Sequence, residues 1–82
     1  MEKEHAEIVA ALAACNLLPG SFDKRLIQHW DRQRTEGKAL SETGSRHIYR
    51  LVYKYRAQMR ETYAKYQDHT EVIKYQNKEP VA

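Results

Sequence analysis

Apolar residues recur three and four positions apart in three stretches of this chain, and each stretch begins and ends with residues suited to a helix terminus. In the first, Ile8, Leu12 and Cys15 fall at spacings of four and three with Val9 beside them, the stripe a helix turns toward a core. Glu2, Glu4 and Glu7 stand in the opening turns, where the helix dipole favours acids, and alanines of high helix propensity follow. The pattern predicts a helix from Glu2 to Cys15. Asn16 in a left-handed conformation stops it, and Pro19 with Gly20 turns the chain.

Ser21 then offers a side-chain oxygen to the free amides of a second helix, Phe22 to Glu36, with Asp23 in its first turn. On a helical wheel Phe22, Leu26, His29, Trp30 and Gln33 cluster on one side, so the rings of Phe22 and Trp30 are expected as core anchors beside Leu26. Gly37 ends this helix. Ser41 caps a third, with Glu42 at its first position, and Ile48, Leu51, Val52, Tyr55, Met59, Tyr63 and Tyr66 carry the apolar stripe onward to predict helix from Glu42 to Tyr66. Gly44 is costly in that first turn, by about 1 kcal/mol against alanine, unless something approaches closely there.

Such a third helix would be roughly 38 Å long at 1.5 Å per residue, more than the first two helices cover. Its last turns should project or meet a partner. Beyond it Val72, Ile73 and Tyr75 form a brief apolar patch before polar residues and Pro80, which specifies no helix of useful length. The expected architecture is all-α: a small three-helix bundle over residues 1–66 with a long basic third helix, and a flexible C-terminal tail or arm over 67–82. Its core is expected to hold Ile8, Leu12, Leu17, Phe22, Leu26, Trp30, Leu40, Ile48, Leu51, Val52, Tyr55 and Met59. The surface left over at Tyr63, Tyr66, Val72, Ile73 and Tyr75 is the expected oligomer interface, that of a possible homodimer.

Charge changes the picture of the third helix. The chain has 82 residues and a net charge of +3, and its six basic and six acidic residues up to Leu40 cancel. Between Ser41 and Tyr66 stand Arg46, Arg50, Lys54, Arg56, Arg60 and Lys65 against Glu42 and Glu61, so the positive charge belongs to this segment. With the Ile48 stripe inward, Arg46, Arg50 and Lys54 face outward with Arg60 nearby, and Tyr49 and Tyr53 fall between them. Cations interleaved with exposed tyrosines neutralise phosphates and stack beside them. The same residues also suit a solvated face that keeps a small protein soluble.

Hydrophobic residues make up 41% and charged ones 30%, too apolar for a disordered chain and too polar for a membrane span. The run from Ile8 to Cys15 is far shorter than the roughly 20 residues a bilayer needs, and acids rather than bases flank it. A soluble cytoplasmic protein is expected, with no membrane partner. Cys15 has no second cysteine to pair with and reads as a small buried hydrophobe. His5, His29, His47 and His69 show no ligand spacing, so no metal and no cofactor are expected. There is no phosphate-cradling glycine loop, no carboxylate pair in an apolar setting and no nucleophile with a histidine at suggestive spacing, so no catalytic residues and no enzymatic activity are expected.

A basic helix that follows a second helix and a short connector invites a helix-turn-helix reading, but that motif's reading helix is short, whereas these cations run far along the chain. Contacts along phosphates fit them better than base readout from a first turn. The stretch Leu18-Pro19-Gly20-Ser21-Phe22-Asp23-Lys24-Arg25, then Leu40-Ser41, then Ile48-Tyr49-Arg50-Leu51 with Lys54-Tyr55-Arg56, resembles a helical segment of small proteins from bacteria and their phages. The resemblance spans about half the chain, with Gly44 where those proteins carry a glutamine that completes a capping box. It implies a prokaryotic or phage setting and transactions on nucleic acid. The expected function is therefore a non-catalytic binding protein that uses Arg46, Tyr49, Arg50, Tyr53, Lys54 and Arg60 on nucleic acid. The alternative is an inhibitor or adaptor that docks on an acidic, nucleic-acid-processing protein.

Overall fold

The computed structural model describes residues 1–78 and shows them as five helices: α1 (Lys3–Ala13), α2 (Phe22–Thr35), α3 (Glu42–Lys54), α4 (Arg60–Tyr66) and α5 (Thr70–Lys78). The chain is all-helical as the spacing predicts, but five helices stand where three are expected. Pro80 lies outside the described residues.

Two of the predicted helix starts rest on the serines. Ser21 Oγ accepts from the Lys24 amide at 3.1 Å, and Ser41 Oγ from the Gly44 amide at 3.1 Å, so each side chain satisfies an amide that has no partner inside its helix. α2 ends on Gly37 at φ 74°. Its amide donates to Arg34 O at 3.2 Å and that of Lys38 to Gln33 O at 2.9 Å, a paired closure that requires a residue able to take the left-handed region. Asn16 does not take that role after α1. No non-glycine among the described residues has a positive φ, and α1 instead unwinds through a tightened last turn in which Cys15 N donates to Leu12 O at 3.1 Å.

The largest departure is the break in the long third helix. α3 stops at Lys54, and a turn over 55–59 leads into α4. A continuous helix over 42–66 would span the molecule's full 37 Å length, so its far end would have little to pack on. The turn brings that end back: Met59 and Tyr66 become buried. Gln58 secures it by taking both polar groups of one distant peptide residue, accepting from Asn16 N at 2.7 Å and donating to Asn16 O at 3.0 Å.

The chain turns again after Tyr66 and forms α5, although no helix is expected there. α5 packs along α3 and buries Val72 completely. α3 therefore lies among α1, α4 and α5, while α1 also packs on α2. The core holds Ile8, Val9, Leu12, Ile27, Trp30, Ile48, Tyr49, Leu51, Val52, Met59, Tyr66 and Val72. Leu17, Leu26, Leu40 and Tyr55, expected inside it, are half-buried at its edge. Phe22 is not in the core at all: it is 65% exposed, and Ile27 takes the place expected for it. The inward face of α2 is turned about one residue step from the expected one, so Phe22 and His29 fall outside it while Trp30 stays within.

Two carboxylates on the first two helices tie down the second half of the chain in the same way. Asp23 Oδ2 accepts from Lys54 Nζ and Tyr55 OH, both at 2.6 Å, and Glu7 accepts from Lys65 Nζ at 2.9 Å and Tyr66 OH at 3.3 Å. In each case a lysine and the tyrosine after it close on one acid. Tyr49 OH donates to Glu4 Oε2 at 3.0 Å. Three tyrosines thus bury ring surface while their hydroxyls find carboxylates.

Candidate nucleic-acid interface

Of the six residues expected to form a basic face, the structure gathers some and disperses others. Arg46 and Arg50 are exposed on the side of α3 that α5 adjoins. From α5, Lys74 and Lys78 meet them across a hollow of about 130 Å³ that Glu71 and Tyr75 also line. Four cations from two helices thus surround one small hollow. Neither lysine belongs to the face expected from the sequence, because the segment that carries them is not expected to be helical. Their four-residue spacing, with Glu71 and Tyr75 on the same side of a helical wheel, is the signal that exposes them.

The cations differ in how far neighbouring acids occupy them. Arg46 Nη2 reaches Glu42 Oε1 at 2.6 Å within α3, and Lys74 Nζ lies 3.7 Å from Glu71 Oε1 within α5. Both are single-turn surface pairs, which exchange readily for another anion. Arg50 and Lys78 have no carboxylate within ion-pair distance among the described residues. The positive field is felt at His47: burial chiefly holds its pKa below the ordinary histidine value, Arg50 lowers it further, Asp23 opposes, and Lys54 adds a smaller depression.

The other four expected members are placed otherwise. Tyr49, expected to stand exposed between the arginines, is only 3% exposed. α5 and its lead-in cover it: its ring stacks on His69 with centroids 3.7 Å apart, and the edges of His5 and Tyr66 close the sides. Burial first, then the Glu4 carboxylate, push its phenol well above the usual tyrosine range. Lys54 is committed to Asp23 as a clamp between α2 and α3. Arg60, beyond the break, opens α4 and lines a separate hollow with Ala11, Ala14, Gln58 and Met59. Tyr53 is half-buried between Tyr63 at 6.2 Å and Tyr75 at 5.8 Å, with the Arg56 guanidinium 4.1 Å over its ring.

The expected oligomer patch is likewise dismantled. Tyr66 and Val72 are inside the chain's own core, Tyr63 and Tyr75 are half-buried, and Ile73 alone of the five is exposed, at 41%. The fold-back supplies the cover that a partner was expected to give. Among the described residues no helix is long and apolar enough to cross a membrane, and no three His, Cys, Asp or Glu side chains gather as a metal site. Comparison with protein-family models, curated proteins and solved structures finds no match for this chain.

Proposed function

We propose that this chain is a non-catalytic binding protein that holds a nucleic-acid backbone across α3 and α5, in the prokaryotic or phage setting its resemblance implies. The observation that carries this reading is the convergence of Arg46, Arg50, Lys74 and Lys78 on one hollow of about 130 Å³. That space is smaller than the several hundred Å³ of an enclosed small-molecule pocket, and it suits a phosphate passing over the surface. Each phosphate neutralised releases condensed counterions, which drives binding and makes it salt-dependent. Such contacts position a backbone without reading bases, so little sequence preference is expected. Half-buried Tyr75 also lines the hollow.

Glu71 and Glu42 offset part of the charge, so two to three phosphates are the expected load, with log affinity falling against log salt at a slope of about minus two to minus three. Fluorescence anisotropy with mixed-sequence DNA and RNA oligonucleotides across a salt series measures this. Replacing Arg50 and Lys74 together by alanine is expected to flatten the slope by up to about two units. Arg60→Ala, on its separate hollow, should change it little. Absence of binding at low salt, or equal effects of the double variant and Arg60→Ala, would sink the proposal.

A further inference from the structure

The outward face of α2 presents a second, unrelated surface. Phe22 is 65% exposed, half-buried Leu26 follows it one turn along the helix, and Leu18, 78% exposed, lies in the segment before α2. A shallow hollow of about 310 Å³ lies among Phe22, Arg25, Leu26 and His29. Arg25, His29 and Arg32 are exposed at spacings of four and three along this same face. Arg25 and Arg32 meet no carboxylate among the described residues, whereas Arg34, on the opposite side of the helix, pairs with Asp31 at 2.7 Å.

From this we infer that the outer face of α2 docks an acidic amphipathic helix of a partner protein, independently of the α3–α5 cleft. The apolar centre requires an apolar side chain to fill the hollow beside Phe22, and an exposed aromatic at the middle of a patch is the usual anchor of such contacts. The guanidinium rim requires carboxylates, which Arg binds as a planar fork. An amphipathic helix with an acidic polar face supplies both at one periodicity. A second copy of this chain fits poorly, because a two-fold contact through this face sets each rim of arginines near its own copy.

The test uses two fluorescein-labelled helical peptides of equal length with the same leucine and phenylalanine stripe, one with glutamates and one with lysines on its polar face. The glutamate peptide is expected to bind the full chain and to shift the amide resonances of Phe22, Arg25, Leu26 and His29 in a ¹⁵N spectrum. Phe22→Ala, at an exposed position, should keep the melting temperature yet weaken that peptide at least about tenfold. The double change R25E/R32E should lose the glutamate peptide and acquire the lysine one. The inference falls if the glutamate peptide fails to bind at millimolar concentration, if both peptides bind alike, if Phe22→Ala leaves affinity unchanged, or if only α3 and α5 resonances move. It falls equally if an oligonucleotide shifts the same four amides, or if sedimentation shows self-association that Phe22→Ala abolishes.

Discussion

Replacing Asp23 by alanine removes one carboxylate that joins the start of α2 to the end of α3, and its cost can be worked from the contacts. Asp23 Oδ2 takes Lys54 Nζ and Tyr55 OH at 2.6 Å each, and it stands in the first turn of α2. The lysine is 48% exposed against 13% for the aspartate, so water replaces much of what the ammonium loses, and that pair contributes at most about 1 kcal/mol. The half-buried tyrosine hydroxyl is a different case: a donor to a charged acceptor, left without its partner, costs about 1–3 kcal/mol. The favourable position at the helix start adds about 0.3–1 kcal/mol. Asp23→Ala should therefore cost about 2–3 kcal/mol, Tyr55→Phe about 1 and Lys54→Ala about 0.5.

Thermal melts followed by circular dichroism read these differences directly, since 1 kcal/mol moves the midpoint of so small a domain by about 4–8 °C. Acidity separates the ionic part. Burial alone would raise the Asp23 pKa, but the Lys54 and Tyr55 hydrogen bonds outweigh it and hold the group below its ordinary value of 3.8. The unfolded chain therefore takes up the proton first as pH falls. Asp23 thus contributes stability above pH 3.8, and loses it as pH drops through the lower folded value. The gap between the native chain and Asp23→Ala should narrow below that point. A cost for Asp23→Ala no larger than that of Lys54→Ala, or a gap indifferent to acid, would refute the clamp.

Two further changes probe the contact of α3 with Trp30 of α2. His47 is held below its ordinary value of 6.5, first by burial and then by Arg50, so the unfolded chain gains a proton before the folded one, and stability should fall as pH drops below 6.5; urea midpoints should show that acid slope reduced in His47→Gln. A Cβ on Gly44 would lie 3.2 Å from Ser41 Oγ, which caps the same turn, and 3.3 Å from Nε1 of buried Trp30. Gly44→Ala should consequently lower stability by about 1 kcal/mol, although propensity alone predicts a gain of about that size; a raised denaturation midpoint would contradict this.

Sequence periodicity exposes what depends on neighbours three and four residues away. It finds the Ser21 and Ser41 caps, the Gly37 stop and the Ile8–Leu12 and Ile48–Val52 stripes, because each is local. The break after Lys54 is not local. No glycine or proline marks it, and Met59 and Tyr66 point inward whether the helix continues or folds back, so the stripe reads the same either way. The turn is held by a pairing across 42 residues, Gln58 with the Asn16 peptide groups. Phe22 misleads for a related reason: Trp30 belongs to both candidate faces of α2, and the choice rests on Ile27, which a wheel weighted toward aromatic rings passes over. Arg46 and Arg50 are found as exposed cations; Lys74 and Lys78 are missed with the helix that carries them.

The break after Lys54 and the unexpected lysines of α5 are one event. By breaking, the third helix turns its own continuation into a cover for α3, which buries Tyr49 and brings two lysines beside Arg46 and Arg50. The basic cleft should then exist only while α5 is docked, and Val72, completely buried under it, is the point at which docking can be tested. Val72→Ala removes two methyl groups and should cost about 2 kcal/mol, from about 0.8 per group plus a small cavity. Val72→Asp would bury an unpaired charge and should release α5. Hydrogen exchange should then show the α5 amides unprotected while those of Ile8, Leu12 and Ile27 stay slow, and oligonucleotide affinity should fall as it does for Lys74→Ala with Lys78→Ala. The lysine pair, being exposed, should lose binding with stability intact. If Val72→Asp keeps full affinity after α5 has been released, the phosphate contacts lie on α3 alone and the cleft has no part in binding.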